Sequence, residues 1–144
     1  SFNKQHFPDS RKSAKRTRKG AAALEFALTV PMMLLAIVGL IQFSGIVMHQ
    51  NVLVSAAREG GRVASFPSAV SSSAVKSRID NYLEGSGISP DSANVTITPT
   101  DLSSLETGDN ILIVVTLPVQ EALWLQAFPS PNINLSARIS YERE

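Results

Sequence analysis

The sequence predicts an α+β protein: a long N-terminal helix that spans a membrane, a second and shorter helix, and a small antiparallel sheet of three to four strands. Three observations carry this prediction. Residues 26–48 form a run of 23 residues without a charge, residues 69–84 repeat apolar side chains at helical spacing, and the last third of the chain alternates apolar and polar residues. At 144 residues, the chain has room for one modest domain beside the long helix.

The uncharged run is long enough to cross a bilayer. A helix rises about 1.5 Å per residue, so 23 residues exceed a hydrocarbon core of about 30 Å. A secretory signal peptide fits less well, because its apolar region is shorter and precedes a small-residue cleavage site, whereas here the small residues 20–23 come first. A buried helix of a soluble protein also fits less well, because the remaining chain is too small to surround it.

Four residues inside the run are unusual for an apolar helix. Pro31 lies about one turn inside it, where a membrane helix tolerates proline if nearby groups take up the freed carbonyl. Gly39 and Gly45 either mark a helix-packing face or are ordinary glycines of a transmembrane helix. Gln42 is the most polar residue of the run, and we expect it to face a partner helix rather than lipid.

Charge is distributed unevenly along the chain. Residues 1–20 carry seven basic side chains and one acidic one, whereas residues 21–144 carry six basic and eleven acidic ones. A basic tail can bind nucleic acid, but beside an apolar span it more often marks the cytoplasmic side of a membrane. We therefore predict a disordered cytoplasmic tail over residues 1–19 and a lipid bilayer, rather than nucleic acid, as partner.

Glu25 stands immediately before the uncharged run, where a carboxylate is costly unless it is paired. One account is favourable interaction with the dipole of the first helical turn, worth about 0.3–1 kcal/mol. The other account needs a positive partner, such as the α-amino group that cleavage before Ala21 would create. An α-amino group has an ordinary pKa of about 7.7–8.0 and is largely protonated near neutral pH.

These residues resemble a known family. The order of basic tail, Gly20, AAALEF and apolar span resembles the leader junction of type IV pilin-like proteins. The fuller string RKGAAALEFALTVPMMLL, followed by SAAREGGRVAS, is similar to the TadE-like proteins of the tight adherence (Tad) pilus. The resemblance implies that a prepilin peptidase cuts between Gly20 and Ala21. It also implies that Glu25 and Phe26 serve recognition and assembly.

The resemblance implies a pilin-like fold and a function as well: a minor pilin or pseudopilin of a Tad pilus, used in adherence. Residues 1–20 would be the cytoplasmic leader, residues 21–65 the assembly helix with its extension, and residues 66–144 a periplasmic domain. The implied partners are the peptidase, other pilin subunits and the Tad assembly machinery. The implied location is the bacterial inner membrane and, after assembly, an extracellular pilus. The alternative is an uncleaved single-pass anchor that binds another envelope or secretion component.

The helix is expected to continue out of the membrane to about residue 65. A juxtamembrane box of the family is matched here by Ala57, Arg58, Glu59 and Gly60, with Arg62 following. Glu59 and Arg62 form an i,i+3 pair worth a few tenths of a kcal/mol. Gly60 and Gly61 are poor helix formers, which predicts a bend or close packing at this point.

The remaining elements follow from residue patterns. Ser68 is the expected N-cap of a helix over residues 69–84, whose apolar face is formed by Val70, Ala74, Ile79 and Leu83, and residues 85–87 end it. Val95 and Ile97 predict one strand, and residues 111–117 a central one. A final strand over residues 132–142 is expected to turn five side chains inward: Ile133, Leu135, Ala137, Ile139 and Tyr141. Residues 119–128 are predicted to cover the sheet as a loop or short helix, with Trp124 in a core or an interface.

The residue types argue against an enzyme. The chain has no cysteine, which excludes disulfides, thiolate metal sites and a cysteine nucleophile. It also lacks a phosphate-binding glycine loop and the HExxH and GxSxG motifs. His49 has no neighbouring ligands in the sequence. We therefore predict no catalytic residue, no metal and no cofactor.

Overall fold

A computed structural model describes residues 10–66, 71–125 and 132–143, with side chains from Gly20 onward. Within these residues the elements are helix α1 (Ser10–Ala64), helix α2 (Ser72–Gly85), strand β1 (Asn94–Thr98), strand β2 (Asn110–Pro118) and strand β3 (Asn134–Glu142). Two short 3-10 turns, Pro90–Ser92 and Val119–Ala122, connect them. The three strands form an antiparallel sheet in the order β1-β2-β3, which confirms the predicted α+β class.

Helix α1 passes through two compact units, residues 1–41 and residues 42–144, which we call the N-terminal and the C-terminal unit. It begins at Ser10, so residues 10–19, for which disorder is expected in isolation, are helical as a continuation of α1. That segment contains neither glycine nor proline, and it prolongs a helix that the following residues already nucleate. Pro31 is accommodated inside the helix, and the helix also continues through Gly60 and Gly61.

The C-terminal unit is built on one face of the sheet. Alternate residues of β2 are fully buried, which confirms its prediction as the central strand; they are Ile111, Ile113, Val115 and Leu117. The end of α1 packs on this face through Leu53, Ala56 and Ala57. Helix α2 adds Val75, Ile79 and Leu83, spaced four residues apart on its buried stripe. Burial of these side chains is the main stabilising contribution to the unit.

Helix α2 has well-formed ends. It starts at Ser72, with Ser71 as the N-cap whose hydroxyl accepts the amide of Ala74 at 3.4 Å. The predicted cap Ser68 and the predicted helix start at residue 69 lie outside the described residues, as does Val70. At the other end, Gly87 adopts a φ of 81°, and the amide of Ile88 donates to the carbonyl of Leu83 at 2.9 Å. This is a Schellman motif, which confirms the predicted helix end.

Ala74 and Ile133 differ from prediction, since both are exposed, and Trp124 is excluded from one of its two predicted places. Ile133 precedes β3 and is 54% exposed, so it does not join the inward face that Leu135, Ala137, Ile139 and Tyr141 form. Trp124 is 82% exposed, which excludes it from the core of the described residues. The Val119–Ala122 turn after β2 buries Val119 and Ala122. Phe128, the last residue of the predicted covering segment, lies outside the described residues.

Candidate assembly interface

The described part of the N-terminal unit presents apolar side chains outward. From Leu24 to Ile41 the large hydrophobic side chains are between 39% and 74% exposed, with Val38 and Met32 as the extremes, except for Val30, which is half-buried. No side chain described in this segment is buried. A helix that exposes apolar groups on all sides in water is strongly disfavoured, so this surface requires lipid or other apolar helices around it.

The predicted junction lies on this helix. Gly20 and Ala21 are exposed, and a Cβ atom at Gly20 would meet no other group within 4 Å. Glu25 is exposed and Phe26 is 71% exposed. The carbonyl oxygen of Glu25 accepts the hydroxyl of Thr29 at 2.8 Å. Glu25 is the only Asp, Glu, Lys or Arg between Gly20 and Ala57, so its carboxylate is the single formal charge available to orient this surface.

Among the described residues, one helical segment, Gly20–Ala64, is long and apolar enough to cross a membrane. Its 45 residues would extend about twice the thickness of a hydrocarbon core, so a bilayer would enclose only part of it. The uncharged run, residues 26–48, is predicted to be that part. Gly39 has nothing within 4 Å of an added Cβ, which leaves its role in helix packing a prediction.

The side chain of Gln42 forms its hydrogen bonds within this chain. Its side-chain oxygen accepts the amides of Trp124 and Leu125 at 3.0 and 3.3 Å, and its side-chain nitrogen donates to the carbonyl of Leu125 at 3.1 Å. These contacts correct the expectation that Gln42 faces another helix. Gly45, one turn on, is buried against the carbonyl oxygen of Ala122, which a Cβ would approach at 2.7 Å. The second glycine therefore packs within this chain.

The two glycines of the juxtamembrane box allow close packing on both sides of α1. A Cβ at Gly60 would lie 2.6 Å from the side chain of Ile79 on α2. A Cβ at Gly61 would overlap the ring of Tyr141 on β3, with Cζ at 2.8 Å. Both distances are shorter than van der Waals contact. Of the two predicted explanations for this pair, close packing is confirmed.

Glu59 joins the two helices by electrostatics. Its Oε1 accepts Arg78 Nη2 at 2.7 Å and Arg78 Nε at 3.0 Å, and it accepts Arg62 Nη2 at 3.2 Å. The pairing with Arg62 was predicted, whereas Arg78 was missed. Glu59 lies beyond Met48, outside the membrane-spanning run. The hydrogen bonds from Arg78 first, then those from Arg62, hold the pKa of the Glu59 carboxyl below its ordinary value.

A shallow groove of about 620 Å³ runs beside the box. Its lining includes Arg58, Glu59 and Arg62 of α1, Tyr82 of α2 and Tyr141 of β3. The Tyr141 hydroxyl donates to the carbonyl oxygen of Arg58 at 3.4 Å, which ties β3 to the helix. The box thus positions α1 on the domain: Glu59 and Gly60 face α2, Gly61 faces β3, and Arg58 and Arg62 remain exposed.

The described residues contain no group of three or more His, Asp or Glu side chains placed to hold a metal ion. His49 Nδ1 lies 2.8 Å from the carbonyl oxygen of Gly45, within its own helix. The His49 side chain therefore has a hydrogen-bonding contact within its own helix.

The apolar helix found among the described residues indicates a membrane-anchored protein, and residues 42–144 form a mixed α+β unit. Residues 20–62 match the family model of TadE, described as TadE-like protein. The resemblance to TadE-like proteins is thereby confirmed over this segment, which contains the junction, the span and the juxtamembrane box. The match supports a structural, Tad pilus-related protein with partners in pilus assembly. No curated protein and no solved structure matches the chain.

Proposed function

We propose that this protein is a minor pilin or pseudopilin of a Tad pilus, cut after Gly20 by a prepilin peptidase and assembled through its apolar helix. The exposed apolar helix between Gly20 and Ile41, with Glu25 as its single charge, is the observation that carries the proposal. It lies inside the segment that matches the TadE model. Such a helix exchanges lipid for neighbouring apolar helices with little loss of apolar burial.

Charge supports one orientation. Seven basic residues precede Gly20, and the positive-inside rule places such a segment in the cytoplasm. The leader is then residues 1–20, the assembly helix with its extension residues 21–65, and the periplasmic domain residues 66–144. This makes the protein a single-pass protein of the bacterial inner membrane before it enters a pilus.

Cleavage at Gly20 requires local opening of α1, because the Gly20–Ala21 bond lies within helical backbone. Gly20 lowers the free energy of that opening, since glycine destabilises a helix by about 1 kcal/mol relative to alanine. The cut leaves a protonated amine on Ala21, four residues before the Glu25 carboxylate. In the proposed mechanism, that amine, on the same or a neighbouring subunit, pairs with Glu25 and fixes the register of packed helices.

The first test is the intact mass of the protein purified from its own membranes, with and without the prepilin peptidase. We expect a chain that starts at Ala21 only when the peptidase is present. Gly20→Ala is expected to block the cut, whereas Gly39→Ala, on the same helix, is the matched control and should be processed normally. An uncut chain under both conditions would refute cleavage and favour the permanently anchored envelope protein.

The second test separates assembly from processing. Glu25→Gln keeps the size and helix propensity of the side chain but removes its charge. We expect normal folding of residues 42–144, normal cleavage and impaired incorporation into pili, measured by immunoblotting of sheared filaments. Normal incorporation of Glu25→Gln would contradict the pairing of Glu25 with the new amine.

A further inference from the structure

An exposed apolar corner of the C-terminal unit lies beside the membrane-spanning run. Trp124 is 82% exposed, Leu125 49% and Ile133 54%. The amide of Val119 donates to the carbonyl oxygen of Ile133 at 2.9 Å, which brings Ile133 to the turn that precedes Trp124. We call these three residues the Trp124 corner. Large apolar side chains clustered at a surface indicate a partner or a lipid contact.

The position of the Trp124 corner along α1 is well defined. Gln42 binds the backbone of residues 124 and 125, and a Cβ at Gly45 would lie 3.8 Å from Trp124 Cδ1. Gln42 and Gly45 both belong to the uncharged run. A hydrocarbon core about 30 Å thick takes up about 20 helical residues, so a core that begins at Phe26 ends close to Gly45. The corner is therefore level with the edge of the hydrocarbon core.

The chemistry of the corner fits that depth. Tryptophan is enriched at the membrane–water interface, where its ring contacts acyl chains while its N–H remains hydrated. No residue between Glu121 and Arg138 carries a charge, so insertion buries no ionised group. Backbone amides near lipid must be hydrogen-bonded, and those of residues 123, 124 and 125 are: the first donates to Gln120, the other two to Gln42.

We propose that the Trp124 corner inserts into the interfacial region of the bilayer and docks the C-terminal unit on the membrane surface, held at that depth by Gln42. The partner is phospholipid, contacted at the level of the glycerol backbone and the first acyl carbons. Of the partners available to an exposed apolar corner, lipid is favoured because the corner adjoins the span itself. The inference requires a membrane-inserted helix, but neither cleavage at Gly20 nor pilus assembly.

Trp124 is the only tryptophan of the chain, so intrinsic fluorescence reports on the corner directly. The full chain is reconstituted into phosphatidylethanolamine–phosphatidylglycerol vesicles that contain lipids brominated near the carbonyl or near the methyl end of the acyl chain. We expect the strongest quenching from bromine near the carbonyl, weak quenching by aqueous iodide, and no change when the protein is diluted in lipid. Strong iodide quenching without bromine quenching would overturn the proposal. Emission that depends on protein density but not on bromine would identify a second copy of the chain as the partner and also overturn it.

Two variants test how the corner is held. Gln42→Leu removes the hydrogen bonds to residues 124 and 125, and loss of even one such bond shifts a docked-to-detached ratio about two- to tenfold. Gln50→Leu is the matched control, because it removes a bond of the same kind, to the carbonyl of Ser136 at 2.9 Å, two turns away. We expect Gln42→Leu to lose carbonyl-level quenching and Gln50→Leu to retain it. No change in Gln42→Leu, or an equal change in both variants, would overturn the proposal.

Discussion

The closest packing of α1 on the domain is at Gly61, where a methyl group has no room. Alanine at this position would place its Cβ inside the van der Waals surface of the Tyr141 ring, so the ring must rotate away and its hydrogen bond to the carbonyl of Arg58 is lost. Overpacking of this kind costs about 1–3 kcal/mol. Alanine also favours the helix by up to about 1 kcal/mol over glycine. The steric cost is the larger effect, so we expect Gly61→Ala to destabilise residues 42–144 by about 1 kcal/mol.

The size of the unit, about 100 residues, converts this loss to a fall in Tm of about 4–8 °C. The assay is thermal unfolding of the full chain in one detergent, followed by circular dichroism. In a Tyr141→Val background the ring is absent, so Gly61→Ala is expected to change sign and raise the Tm through helix propensity alone. Gly39→Ala, which meets nothing within 4 Å, controls for general effects on the helix. A Gly61→Ala variant that raises the Tm in the native background, or shifts it equally in both backgrounds, would refute the steric argument.

Three further predictions concern the same unit. Ile113→Ala, in the fully buried centre of β2, is expected to lower the free energy of unfolding by about 2–5 kcal/mol in urea titrations, and a loss below about 1 kcal/mol would contradict its place in the core. Glu59→Gln is expected to lower the Tm at neutral pH because the charged hydrogen bonds from Arg78 are weakened. Since the pKa of Glu59 is depressed in the folded state, the stabilisation by its carboxylate is complete above the ordinary glutamate pKa of about 4.3. The Tm difference between the native protein and Glu59→Gln should therefore narrow as the pH falls through the folded pKa. A Tm difference independent of pH would argue against this. Gly45→Ala, whose Cβ would meet the carbonyl of Ala122 at 2.7 Å, is expected to destabilise the unit by about 1–3 kcal/mol, whereas Gly39→Ala should leave its urea transition unchanged; equal transitions for the two variants would count against the packing of Gly45.

The fold class could be predicted because its determinants are local. An uncharged run of 23 residues, an apolar run over residues 111–117 and a Gly-Ser-Gly helix end each follow from composition or spacing within one segment. Three strands, a central β2 and the end of α2 were predictable on these grounds. The N-cap of α2 was less predictable, because the sequence offers several serines in a row and only the structure selects Ser71.

Contacts between distant segments could not be predicted. Arg78 meets Glu59 because α2 packs beside α1 in one register, and no spacing within α2 indicates that register. Gln42 looked like a partner-facing residue because its actual partners lie 82 and 83 positions away in the chain. The Gly60–Gly61 pair was a visible signal, but only the structure distinguishes close packing from a bend. The sequence left Trp124 between a core and an interface for a related reason: large aromatic residues are usually buried, and burial depends on which surface the chain folds against.

Helix α1 contains both the apolar run and core residues of the C-terminal unit, and this affects how the unit responds to force. From Gln42 onward, the chain reaches the core residues Leu53, Ala56 and Ala57 through unbroken helical backbone, with no linker between. A pull applied at the Gln42 end is therefore borne by the hydrogen bonds of the helix and by the side chains packed against it, in shear along the helix axis. Force on a domain attached by a flexible linker would first extend that linker. Here the helix and its packed side chains bear the force as soon as it is applied.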